Sequence, residues 1–303
     1  MSLLLSTAAL AALAQATPID TTLPVERGQR LTVEVYGGDI TVKTWNRNAV
    51  RIQADPSGRT RVEISSSPSG VEVHTEGRRG PPSSVDVQVT APTWMALDLS
   101  GVYTDVSVDG TKGPINVETV QGEVKVNGGD GLLSLRSVQG GVTLRNAKGR
   151  IAVNSVNESV SVSDASGEVA AETVNGDVQL DRVDASSVEA STVNGDLGYS
   201  GPIRNGGRYS FSSHNGDITL AVAQGTSAAV SVSTFSGEFQ SDFPVALSET
   251  KKGKRFSFTL GGGSAQVTLE SFQGTVRLVR PGHTPATRPG HRDDDDHDDH
   301  DDH

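Results

Sequence analysis

The chain has 303 residues, 34% of them hydrophobic and 4% aromatic, with 34 glycines, 13 prolines and no cysteine. So little apolar and aromatic material excludes a wide globular core, and the absence of thiols excludes disulfides, thiolate metal centres and cysteine nucleophiles. The formal charge of −11 is mostly local, because the eight aspartates from Asp293 to Asp302, set aside with Arg292, leave 29 acidic and 25 basic residues; no basic face for nucleic acid is expected.

In chain order, residues 1–16 are an apolar run closing on Ala14-Gln15-Ala16, the small-residue pattern of a secretory signal cleaved before Thr17, although no Lys or Arg precedes it. The run is short for a bilayer span, and no later stretch is long and apolar enough. The mature chain is therefore expected to be exported, to the periplasm, the cell surface or the medium, without a transmembrane segment. From Leu23 to Leu99 the apolar residues alternate with charged ones in short runs bounded by Gly, Pro and Ser: Leu31–Val35, Ile40–Val42, Val50–Ile52, Val62–Ile64, Val71–Val73, Val85–Val89 and Met95–Leu99. Period two bounded by turn residues predicts irregularly spaced strands and almost no helix.

From Gly113 to Leu197 the apolar residues fall on a repeating grid of 18 residues: Ile115, Val117, Val120, Val124, Val126, then Leu133, Leu135, Val138, Val142, Leu144, and so on to Leu180. Each copy divides into two nine-residue halves opened by glycine, as at Gly113 and Gly122 or Gly131 and Gly140. A short fixed period means that each unit buries its apolar face only by stacking on its neighbours. The expectation is an all-β, single-stranded β-solenoid with two main faces per coil, valines and isoleucines in its interior, and glycines taking positive φ at the corners. Glu158 occupies one glycine slot and must reshape that turn or sit at a less demanding φ. Beyond Leu197 the step lengthens: Val193 to His214 and His214 to Phe235 are each 21 residues, and Phe272 follows 37 later. The excess predicts a hairpin around Val245–Leu260. All seven phenylalanines lie beyond position 210, placed to fill wider coils or close the open end. The tail, 280–303, is rich in Pro, Gly, Asp and His, a composition that cannot pack. The expected organisation is thus a leader (1–16), a solenoid body (17–279) and a disordered tail (280–303).

Chemistry-bearing motifs are scarce. Acids follow several corner glycines (Glu123, Asp177, Asp196, Asp217, Glu238), but Gly141 and Ser159 interrupt the file and the spacing differs from calcium-binding nonapeptides, so they read as turn residues. His297, His300 and His303 among aspartates would bind divalent metal only weakly, because nothing preorganises them. Ser248–Lys251 fits S-x-x-K only by chance, with no helix to present it; His74 and His214 read as surface or edge residues. The sequence therefore assigns no catalytic, cofactor-binding or metal-ligating residue, and no cofactor.

The recurring V-[NQ]-G-[DE]-V, after Val87-Gln-Val-Thr-Ala-Pro92 and Leu97-Asp-Leu99, together with Gly38-Asp39-Ile40, Val42 and Trp45, resembles the bacterial putative-adhesin family, over residues 25–279. The resemblance implies a β-solenoid at the cell surface or in the periplasm with no established activity and no catalytic residues to transfer. It points to a non-enzymatic binding or structural scaffold whose partner is an envelope protein or a glycan. Two alternatives are a β-helix carbohydrate-active enzyme of the polysaccharide-lyase kind, which would need a cluster of acids and bases on one face, and a β-helix acyltransferase, whose coils have three six-residue sides.

Overall fold

The computed structural model describes residues 18–56, 60–77, 80–245, 248–250 and 254–282. The expected leader and the tail beyond Gly282, with its histidines, lie outside the described residues. The body is all-β: 25 strands join in one mostly parallel sheet, which winds into a two-faced β-solenoid. In the regular middle, one face stacks Ile115–Gln121, Asp130–Gln139, Lys148–Asn154, Ser166–Glu172 and Asp184–Asn194 in parallel. The opposite face stacks Val124–Gly128, Val142–Arg145, Val160–Ser163, Val178–Asp181 and Leu197–Ser200. Registers pair Leu133 with Ile151 and Val142 with Val160, which is the 18-residue step of the sequence.

The reason for this winding is alternation. Along each strand every second side chain points inward, so Ile115, Val117, Val124 and Val126 from one coil meet their equivalents from the next, all buried. Each such aliphatic side chain contributes about 1.5–3 kcal/mol as an upper estimate. One part of the expected interior is corrected. Val120 and Val174 are 45% and 41% exposed, and Val138 and Val156 are only half-buried. Strict alternation from Ile115 and Val117 sends Thr119 inward, and the valine after it outward.

At the N-terminal end, two long strands, Arg30–Trp45 and Ala96–Thr111, each run through a corner and serve both faces. The coil made by Gly70–Gly77 and Val87–Pro92 packs outside Arg30–Trp45 although it follows it in sequence. Antiparallel strands then cover this end: Thr60–Ser67 on Gly70–Gly77, and Ile19–Pro24 and Ala49–Ala54 beyond Val87–Pro92.

The C-terminal end repeats the manoeuvre. Arg208–Asn215 pairs with Ala265–Gln273, which in turn pairs with the earlier strand Ala228–Thr234. The coil after the 37-residue gap is therefore inserted before the coil that precedes the gap. The expected hairpin is present, with Ser248–Thr250 and Lys254–Leu260 as its arms, and the second arm closes Ala228–Thr234 antiparallel. In the longer coils the strands Leu197–Ser200 and Ile218–Ala221 keep four residues; the added residues form corner loops such as 201–207. Aromatics do fill this part of the interior, but two of the three are tyrosines. Tyr199, Tyr209 and Phe211 are fully buried and pack at ring distances of 6.1 and 5.2 Å, beside the small Ala185 and Ala190. The Tyr209 hydroxyl donates to the Ala185 carbonyl at 2.7 Å and the Tyr199 hydroxyl to that of Val183 at 3.1 Å; burial pushes both phenols up in pKa. Phe239, Phe243 and Phe256 pack against the core at the end, in the closing role expected of them.

A candidate binding ridge and groove

The corner between the two faces carries the densest side-chain chemistry. It reads [ST]-[VHF]-[NQS]-G in seven coils, with Glu158 in place of glycine in an eighth. The inward hydroxyls of Thr119, Ser137, Ser155, Thr173, Thr192, Ser213 and Ser271 are buried. Each donates to the carbonyl of the glycine-slot residue one coil back, at 2.8–3.1 Å. Three of the glycines there, Gly122, Gly176 and Gly274, take positive φ at 146–158°, and the others are needed for space: a Cβ on Gly140, Gly195 or Gly216 would stand 1.9–2.0 Å from the preceding coil's carbonyl oxygen. Positive φ is confined in the regular array mainly to the other corner, where Asn146, Asp164 and Arg182 adopt it at 51–53° alongside Gly131, Gly149 and Gly167. Glu158 avoids a positive φ, and the turn is reshaped around it. The strands of its coil and the next end at Asn154 and Glu172, whereas neighbouring coils continue as strand to Gln139 and Asn194.

Outside the hydroxyls, two further files run along the corner. Gln121 donates to Gln139, Asn175 to Asn157, Asn194 to Asn175 and Asn215 to Asn194, at 2.7–3.2 Å. The acids after the glycine slot act as caps: Asp105, which follows Thr104, and Asp177, Asp196 and Asp217 accept the backbone N–H of the residue one coil on, at 2.7–2.8 Å. Asp217 also pairs with Arg277 at 2.6 Å. These carboxylates are thus spent singly on the fold, and among the described residues no three His, Asp or Glu converge on one point as metal ligands would. At the N-terminal end Asp39 is raised in pKa by partial burial and then by its neighbours Asp86 and Asp105.

Between the hydroxyl and amide files stands a ridge of outward side chains, one per coil and apolar except for His214: Val120, Val138, Val156, Val174, Val193, His214, Phe272 and Phe235. The last three stack face to face, His214 on Phe272 at 4.7 Å and Phe272 on Phe235 at 4.8 Å, with ring planes within 5° of parallel. This column shows the insertion of one coil between the other two in side chains as well as in backbone. His214, expected as an isolated edge residue, is a member of the stack, while His74 lies beside Glu34 at 3.3 Å. Beside the ridge, over the C-terminal coils, is a groove of about 750 Å3. Ser191, Ser212, Ser233, Glu270 and Arg255 line it, with the ridge as its wall. Sequence reasoning placed the ridge valines inside and so missed the groove; the alternation Ile115, Val117, Thr119 was the signal that locates both.

The structure is thus a mostly parallel β-solenoid covered at both ends by antiparallel strands, with an outward ridge along one corner and a hydroxyl-lined groove beside it. The Toastrack DUF4097 family model matches residues 13–175 and 168–279, and the chain belongs to that family. No curated protein matches it. Three solved structures are similar at 10% identity over 87% of this chain. They are a putative cell adhesion protein from Clostridium sporogenes (all of that chain, TM-score 0.25), a putative lipid binding protein from Parabacteroides distasonis (97%, TM-score 0.46) and a putative adhesin from the same organism (97%, TM-score 0.27). Likeness at this level does not bear on what this chain binds.

Proposed function

We propose that the protein is a non-enzymatic scaffold of the cell envelope that binds a partner through the corner ridge and its groove. The observation that carries the reading is the ridge itself, a file of side chains over eight coils, apolar except for His214, with Val120, Val174, Val193, Phe272 and Phe235 exposed and Phe235 70% so. A buried core position would cost nothing to explain, but a file of solvated valines and aromatic rings marks an interaction surface. In this reading residues 1–16 are a cleaved leader, 17–279 the folded body and 280–303 a solvating tail. The exported chain acts in the periplasm, on the cell surface or in the medium.

The test is saturable binding of the mature chain to isolated envelope fractions. A Phe235→Ser/Phe272→Ser double variant that still melts cooperatively is expected to lose most of that binding. Turnover of any polysaccharide in a hydrolase and lyase screen would overturn the non-enzymatic reading and favour the lyase-like alternative.

A further inference from the structure

The groove identifies the chemistry of its occupant by what it lacks as much as by what it has. Each strand beneath it is paired on both sides, Asp184–Asn194, Arg208–Asn215, Ala265–Gln273 and Ala228–Thr234 alike. A peptide finds no open strand edge there to extend. The ridge is one side chain wide, whereas a specific protein interface buries about 800 Å2 on each partner. The occupant that fits is a single extended chain lying along the solenoid axis.

The lining selects a polyhydroxyl chain. The hydroxyls of Ser191, Ser212 and Ser233, the carboxylate of Glu270 and the guanidinium of Arg255 recur along the floor, and Arg255 Nε reaches Ser233 Oγ at 3.3 Å. Both faces of Phe272 are covered by its stacked neighbours, so its exposed part is the ring edge. Ring edges carry the positive end of the aromatic quadrupole and match the oxygens of a sugar chain. The rows recur at the ring spacing of 4.7–4.8 Å, on the scale of one sugar in an extended β-linked glycan. We infer that this groove binds an extended β-linked glycan, one sugar per coil. The inference rests on the scaffold reading and supplies its ligand class.

Cellohexaose and chitohexaose titrated calorimetrically into the mature chain test it. At least one is expected to bind, more tightly than its disaccharide. Phe272→Ala is expected to weaken binding about tenfold, equivalent to about 1.4 kcal/mol, while Gln179→Ala, exposed on the opposite face in Val178–Asp181, leaves it unchanged. Glu270→Gln, at an exposed position, is the second probe if Phe272→Ala fails to fold, and is also expected to weaken binding. Failure of both hexasaccharides to bind, or binding indifferent to Glu270→Gln and Phe272→Ala, overturns the inference. Envelope binding that persists without glycan binding would leave the scaffold standing and reject only the sugar.

Discussion

At the scale of single residues, the corner obeys a rule whose exception is as informative as its instances. In the coil of Ala96–Thr111 the hydroxyl and glycine positions are exchanged: Gly101 aligns with Thr119, and Thr104 stands in the glycine slot. The Thr104 side chain fills the space a residue at Gly101 would take, since a Cβ there would lie 2.2 Å from Thr104 Oγ1. Its hydroxyl is buried without a hydrogen-bond partner. Thr104→Val, which keeps the shape and removes the orphan donor, is expected to leave urea stability unchanged or raise it. Thr119→Val removes a bond of 2.9 Å to the Thr104 carbonyl and is expected to cost about 1 kcal/mol. Gly195→Ala drives a Cβ to 2.0 Å from the Gly176 oxygen and should cost about 1–3 kcal/mol in the same measurement. The corner glycines were legible in the sequence as turn residues. The approach of the preceding coil was not, because it involves an atom 18 to 21 residues away. The ridge was hidden for a related reason: a grid of apolar residues records recurrence, and only alternation within a strand records direction.

At the scale of elements, the outer surface is tied together by ion pairs between coils and, at the N-terminal end, between the covering strands. Arg182 pairs with Asp164 at 2.7 Å, Arg204 with Asp184 at 2.5–2.6 Å and Arg51 with Asp20 at 2.6–2.8 Å. In each case the arginine's hydrogen bonds hold the carboxyl below its usual pKa. A carboxyl lowered on folding adds stability above its unfolded value of about 3.9, and that contribution is lost as the pH falls through the folded value. The melting temperature should therefore be flat from neutrality to mildly acidic pH and decline below it. The decline should be shallower in Arg204→Gln and in high salt, because these pairs are solvent-screened. The strands of the regular middle were readable one by one, since parallel neighbours repeat the same pattern at a constant step. The terminal strands were readable as strands, but their partners were not. The interval from Phe235 to Phe272 is compatible with either order of stacking, and the ring column decides it.

At the scale of the whole molecule, the exchanged order at the C-terminal end makes its last coils interdependent. A chain ending after Leu260 retains Ala228–Thr234 and its antiparallel cover but loses the coil that joins them to Arg208–Asn215. Hydrogen exchange is expected to show residues 228–260 unprotected in that truncation. Ending after Val222 should instead leave the array protected up to its last coils, Arg208–Asn215 and Ile218–Ala221. Protection of 228–260 in the chain ending after Leu260 would contradict the pairing described.

The same threading decides how the molecule carries load. Val276–Val279, the strand from which the tail departs, lies between Ile218–Ala221 and Phe239–Ser241 and is bonded to both. Ile19–Pro24, at the other terminus, is bonded among the described strands only to Ala49–Ala54. Tension applied through the N-terminal segment peels one ladder at a time, whereas tension applied beyond Gly282 must shear two ladders together. A molecule gripped by its C-terminal end would hold under a pull that unravels it from the other.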